Sequence, residues 1–397
     1  MDKQNYLKVV FGMMICLFFL MTAFHVEAAD PGVTKDSVLV GGVLDTTGPV
    51  AFWGKNAVIG MTTWIQHIND QGGVHGRKIK YIYESDEYNP TKSVAAVKKL
   101  VFRDQVFCIS PTMGTAHTSS VIPILQEEKV PLVGMISAGT SLVYPPKKYI
   151  FSIYQTNVDR NRVQVDYLVK HLKMAAPRVG YIYQDDEFGL DDVSGAVDQL
   201  KKYGLELAGQ ESYKRGALEF GTQVLKLRKM NPNVVFINGF YRECASVIKE
   251  MDKMGWKPEL IMISGGAADK KFVDLAGPLS EGVFTCFWMR DVEDDRPAIL
   301  EFRKLLNKYH PNAEPANPQL MGYTTARFLV EGLRLTGPDL TRENLVKGIE
   351  TLKDFDTGIG AKISFRPNVR NGSSGSYIAQ VKKGKFVPLT DWLEPEK

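Results

Sequence analysis

The chain is expected to be an α/β protein of two domains, each built on a parallel-type sheet covered by helices. Three observations predict this. From Ser37 onward, short runs rich in Val and Ile alternate with longer segments of helical spacing, separated by Gly or polar turns. Such alternation is the signature of parallel strands joined by crossover helices. Once an N-terminal targeting segment is set aside, roughly 370 residues remain, more than one core commonly supports. Helix boundary signals also sit where the alternation needs them.

The targeting segment comes first in order. Lys3 and Lys8 give a positive start, residues 9–24 are almost wholly apolar, and Val26-Glu27-Ala28 presents a cleavage pattern, so residues 1–28 are expected to be a signal peptide cut after Ala28. The apolar core is shorter than the roughly 20 residues of a membrane span. Apolar residues Leu17 to Met21 continue past Cys16, which argues against lipidation there. The mature chain is therefore expected to be secreted.

Strands are predicted over 38–44, 79–84, 106–109, 131–134, 178–183, 234–237 and 260–263, and helices over 56–69, 91–103, 160–173, 190–203, 221–230 and 243–254. Asn89-Pro90 supplies a capping side chain followed by a proline at the first helical position. Gly72-Gly73 follows Asn69-Asp70-Gln71, where a chain leaving a helix needs positive φ. Ile59, Trp64, Ile65 and Ile68 share one face of the first helix. Near the end, Asn371-Gly-Ser-Ser-Gly is expected to turn between short strands at 362–365 and 377–381.

Composition excludes several functions. The formal charge is +4, and loss of Lys3, Lys8, Asp2 and Glu27 leaves it unchanged. Basic and acidic residues are interspersed, so the electrostatic footprint of a nucleic-acid binder is missing. Cys108, Cys244 and Cys286 are too few and too far apart for a disulfide framework or a C-x-x-C metal pair, and are expected to be buried free thiols. No cofactor or metal site is expected.

Three strand-to-helix connections carry the candidate chemistry. Gly48 to Lys55 resembles a phosphate loop but has five residues before Gly54-Lys55 and then Asn56, which breaks that motif. It places Phe52 and Trp53 where ligands of open α/β sheets sit, at the carboxyl ends of strands. Trp53 is either a pocket wall or interface packing. The second connection runs from Ser110 to Ser120. Gly114 and Thr115 there bring a hydroxyl to free helix N–H groups, a combination that binds a carboxylate, while plain capping by Thr115 or Ser119 is the alternative. Ser137-Ala138-Gly139-Thr140 has the same small, polar character. Catalytic motifs are absent: there is no H-E-x-x-H or G-x-S-x-G, and His67, His75, His117, His171 and His310 are scattered. Asp185-Asp186-Glu187 precedes a helix, where carboxylates complement the dipole.

These residues together resemble the leucine/isoleucine/valine-binding family, the type I periplasmic solute-binding proteins of branched-chain amino acid ABC transporters. The similarity runs from about Ser37 to the end. It rests on Gly48-Pro49 with an aromatic and Gly54, on Ile68-Asn69-Asp-Gln-Gly72-Gly73-Val74-His-Gly76-Arg77, on Asp185-Asp186-Glu-Phe188-Gly189, and on Gly282-Val283. The resemblance implies a non-catalytic, periplasmic, monomeric protein of two Rossmann-like lobes joined by a three-crossover hinge. The lobes would be 29–152 with 285–356, and 153–284 with 357–397. The crossovers would fall near 151–154, 282–285 and 357–363. The protein would close on a small ligand, an amino acid or organic acid, and hand it to a membrane permease.

Carried over by local pattern, the carboxylate contacts fall on Gly114, Thr115, Ser137 and Ala138, and the aromatic contacts on Trp53, Phe188 and Phe240. Where amino-acid binders of the family carry a glutamate for the ligand's ammonium, this chain has Ser264-Gly265-Gly266. Asp159 or Asp185 could replace it, though Asp159 equally suits a helix N-terminus. The ligand is therefore expected to be either branched-chain amino acid-like or an acid with an apolar or aromatic body. A ligand-sensing module of the same fold is the alternative function, and a secreted hydrolase is disfavoured by the missing motifs.

Overall fold

The computed structural model describes residues 30–396, so the signal segment and its cut lie outside the described residues. The first half alternates β1 (Ser37–Leu44), α1 (Ala51–Asp70), β2 (Lys78–Ser85), α2 (Pro90–Lys98), β3 (Cys108–Thr112), α3 (Thr115–Glu127), β4 (Leu132–Val133), α4 (Thr140–Val143) and β5 (Ile150–Phe151). Its strands form one parallel sheet in the order β2-β1-β3-β4-β5.

The second half continues with α5 (Asn157–Asp166), β6 (Val179–Gln184), α6 (Glu187–Lys202), β7 (Gly209–Tyr213), α7 (Gly221–Lys229), β8 (Val234–Ile237), α8 (Tyr241–Lys253), β9 (Leu260–Ile263), α9 (Lys270–Ala276) and β10 (Phe284–Phe287). Three helices follow, α10 (Pro297–Tyr309), α11 (Asn317–Thr336) and α12 (Arg342–Glu350), and then the hairpin β11 (Tyr377–Lys382) and β12 (Lys385–Pro388). The second sheet has the order β12-β11-β10-β9-β8-β6-β7. It is parallel from β10 to β7, and the terminal hairpin adds two antiparallel strands.

Every residue of β6 and β8 is buried, which explains why those segments are nearly continuous apolar runs rather than alternating ones. In each sheet the strand order reverses beside the first strand, with β1 flanked by β2 and β3, and β6 flanked by β7 and β8. Loops leaving the carboxyl ends of strands beside such a reversal splay apart and leave a crevice. Four of the sequence-selected segments, after β1, β3, β6 and β8, are those loops.

Helix α11 returns to the first lobe by packing on α1 through two glycines. A Cβ on Gly60 would lie 1.8 Å from the Gln319 carbonyl oxygen, and one on Gly322 would lie 2.0 Å from that of Ala57. Only backbone can approach backbone this closely.

The expected punctuation holds. Asn89 Oδ1 accepts from Thr91 N–H at 2.9 Å, and Gly72 and Gly73 have φ of +104° and +82°. Cys108, Cys244 and Cys286 are buried free thiols. Four expectations need correction. Phe284–Phe287 is hydrogen-bonded between β9 and β11, so the chain leaves the second sheet after Phe287 rather than near Thr285. Residues 362–365 form no strand; Ile363 makes a single bridge to Phe355, because β11 is occupied by β10 on one side and β12 on the other. Its hairpin turn is Lys383-Gly384, and Asn371 instead bridges to Ser152 beside the first crossover. Helix α1 also begins earlier than predicted, at Ala51, directly after Gly48-Pro49.

Candidate functional site

The loop after β1 is shaped by one buried carboxylate. Asp45 accepts from Thr47 and Gly48 N–H through Oδ1, at 3.0 and 2.5 Å, and from Val50 N–H through Oδ2 at 2.8 Å. This capping-type arrangement turns the chain into α1 and puts Trp53 in its first turn, 2% exposed. On the neighbouring connection, Gly114 takes φ +91° and no side chain caps α3, so the first N–H groups of that helix stay open beside Thr115. The Thr115 hydroxyl lies 3.1 Å from that of Ser137, joining the two small polar loops foreseen in the sequence.

These residues border one cavity with about 490 Å³ of atom-free space, open in part to solvent. Trp53, Gly114, Thr115, Ser137, Ala138, Phe188 and Phe240 all line it. The rings of Trp53 and Phe188 stand 5.9 and 6.1 Å from Phe240, so aromatic side chains from both sheets meet across the crevice. Tyr88 completes that wall, stacked on His117 at 4.3 Å and edge-on to Phe240 at 5.7 Å.

Two expected residues are not part of the lining. Asp159 pairs with Arg162 at 3.1 Å, and its N–H donates to Thr156 Oγ1 at 3.2 Å, which is the helix-start role. Gly265 stands behind the wall, while its neighbour Gly266 faces the cavity. A Cβ at Gly265 would lie 2.4 Å from the Trp288 ring, so Trp288 holds the space into which a side chain at that position would extend. Asp185, the other candidate counter-charge, pairs with Lys214 at 2.5 Å.

The lining residues missed in the sequence are as informative as those found. Arg160, 1% exposed, donates from Nη2 to Asp192 at 2.8 Å, and Asp192 also accepts from Asn238 at 2.7 Å. Its guanidinium lies 5.0 Å from the Trp288 ring. Trp288 and Tyr88 follow the carboxyl ends of β10 and β2, so the strand-end rule that selected Trp53 would have selected them. Arg160 gave no such signal, because a charged residue one turn into a helix reads as surface.

The profile described as periplasmic binding protein matches residues 37–385. The chain belongs to that family. Its relatives include the Leu/Ile/Val-binding protein homolog 8 of Brucella suis biovar 1 (strain 1330), 20% identical over 394 residues that cover 96% of each chain. Among solved structures, a fatty acid ABC transporter substrate-binding protein from Thermomonospora curvata is similar with a TM-score of 0.83 and 22% identity, over 93% of this chain and 95% of that one. A branched-chain amino acid ABC transporter protein from Thermus thermophilus with bound valine has a TM-score of 0.83 and 19% identity, over 91% and 97%. These likenesses show the type I periplasmic binding protein fold.

In such a fold the cavity lies between the lobes, and here hydrogen bonds already cross it. Asn157 N–H donates to the Ala138 carbonyl at 2.7 Å. Thr140 donates to Asp191 from both its N–H, at 2.9 Å, and its hydroxyl, at 3.1 Å. On the far side, Asn317 N–H donates to Asp269 at 3.0 Å. Burial pushes the Asp191 and Asp269 carboxyls up to about 6, because desolvation outweighs the hydrogen bonds each receives.

Proposed function

We propose that this periplasmic binding protein is the monomeric, non-catalytic solute-capturing subunit of an ABC importer, and that its solute is a small acid with an apolar or aromatic body and no free ammonium. One observation carries the choice of ligand. Among the lining residues, Trp53 Nε1, Asn157 Nδ2, Arg160 Nε and Trp288 Nε1 are buried donors with no acceptor among the described residues, whereas no buried side-chain oxygen of the lining is left without a partner. A buried donor without a partner costs about 1–3 kcal/mol. A carboxylate, which only accepts, removes that cost; an ammonium, which only donates, cannot. The lining contains no Asp or Glu that could hold an ammonium, and its one cation, Arg160, is already paired with Asp192.

The apolar body has Trp53, Tyr88, Tyr154, Phe188, Phe240 and Trp288 to pack against. Catalysis is not supported by this arrangement: the Thr115 and Ser137 hydroxyls face each other without a base, and His117 lies outside the lining, its pKa lowered by burial. Sheet membership supports lobes of 30–152 with 288–356, and 153–287 with 357–396. A ligand that touches both lobes stabilises the closed form by its differential affinity, and the permease would read that form.

Calorimetric titration of the secreted protein with leucine, with the keto acid obtained by deaminating leucine, and with benzoate tests the proposal. Binding of either deaminated acid, at least tenfold tighter than leucine, is expected. Tight leucine binding with no binding of both acids would overturn it.

A further inference from the structure

A second cleft lies where the crossovers between the lobes come together. Its volume is about 440 Å³, bordered by Arg290 and Arg296 from the second crossover, Asp356 and Gly358 to Lys362 from the third, Ser374-Gly375, and Trp392 and Glu394 near the C-terminus. At its wall is Arg290, 4% exposed. The guanidinium lies between two rings, 4.5 Å from the centroid of Tyr377 and 4.7 Å from that of Trp392. Among the described residues the guanidinium makes no hydrogen bond and pairs with no carboxylate within 4.0 Å, and Nε is buried without a partner.

Burying a guanidinium with no directly paired carboxylate is costly, and two aromatic faces with the more distant charges of Asp294 and Asp391 offset only part of the cost. The neighbouring carboxylates are engaged elsewhere. Asp356 accepts from Gly358 N–H at 2.7 Å, Glu394 from the Ser374 hydroxyl at 2.5 Å, and Asp294 from Arg296 N–H at 2.8 Å, with the Arg296 side chain 3.5 Å from its other oxygen. Lys362, which is exposed, forms no ion pair among the described residues. Three cationic side chains thus border a cleft whose two bordering carboxylates already have donors, and the most deeply buried cation has none of its own.

We propose that this cleft is a second ligand site, for a small oxyanion bearing a carboxylate or phosphate group, with Arg290 as its principal donor and Arg296 and Lys362 as supporting charges. The site shares no lining residue with the cavity between the lobes. Because its walls come from two crossovers and the C-terminal stretch, an anion there bridges segments whose relative positions change when the lobes move, and its binding is coupled to closure.

The test uses the full secreted chain at constant ionic strength. Phosphate and malonate are titrated separately, followed by calorimetry and by tryptophan fluorescence, for which Trp392 is the adjacent reporter, with chloride as the control. Saturable binding of one or both oxyanions but not chloride is expected, and the stronger arm identifies the head group. Arg290→Met should weaken it at least tenfold. Should that variant fail to fold, Arg296→Gln with Lys362→Gln, both at exposed positions, should weaken it at least threefold, and Glu394→Gln should tighten it. No saturable binding of either oxyanion, or binding unchanged in Arg290→Met or in the double variant, would overturn the proposal. Neither outcome depends on which solute the cavity between the lobes takes.

Discussion

Substituting Asp191 and Asp269 by asparagine should remove most of the pH dependence of lobe closure between about pH 4 and 6. Each carboxylate accepts hydrogen bonds from the opposite lobe, Asp191 from Thr140 and Asp269 from Asn317. Each is raised from 3.8 to about 6, chiefly by burial. Asp191 also faces the charges of Asp192 and Arg160, which oppose each other, and Asp269 faces Asp291 and Lys271, which do the same.

The sign follows from proton uptake. The closed form binds more protons than a form with these groups exposed, so closure is penalised fully above pH 6, and the penalty fades as pH falls toward 4. A shift of that size corresponds to roughly 3 kcal/mol per carboxylate above pH 6. If opening exposes one of them, ligand affinity should rise by about tenfold per unit as pH falls through the upper part of this window. Calorimetric Kd values between pH 7.5 and 5, measured for the wild type and for Asp191→Asn with Asp269→Asn, provide the assay. A double variant whose profile runs parallel to the wild type would refute the reasoning.

Three further outcomes are expected. Arg160→Met or Asp192→Leu alone strands a buried charge and should cost about 3–5 kcal/mol in urea unfolding, with much of that recovered when both are combined. Phe188→Ala, at a half-buried position on the cavity wall, should weaken ligand binding by about tenfold while changing thermal stability little. Cys108 and Cys286, whose thiols burial pushes up to about 12, and Cys244, also raised by burial, should resist a disulfide reagent at pH 8 until the chain is unfolded in denaturant.

Much of the candidate site was legible because it lies at strand ends. An apolar run followed by a Gly-rich or hydroxyl-rich turn and a helix marks a loop on the binding edge of a parallel sheet, and Trp53, Thr115 and Ser137 were found this way, whereas Phe188 and Phe240 came from the family resemblance. The fold class was legible for the same local reason: period and punctuation survive in the chain whatever it packs against. Prediction weakened where an element depends on distant partners. The pairing of β10 is decided by β9 on one side and by β11, nearly a hundred residues later, on the other. The hairpin was misplaced because Asn371 to Gly375 has turn composition, yet β11 finds its antiparallel partner across Lys383-Gly384.

The sequence by itself determined that there are two α/β units, where their binding-edge loops lie, and that position 265 carries no carboxylate. Only the tertiary structure decided what takes that carboxylate's place. Trp288 reaches over Gly265 from the next strand end, Asp159 and Asp185 are held by Arg162 and Lys214, and Arg160 is drawn inward by Asp192. The physical reason is that the charge and hydrogen-bonding state of a cavity belong to groups that meet only after folding. A glycine's missing side chain is visible in one dimension, whereas an arginine's burial and its unpaired donor depend on neighbours tens of residues away.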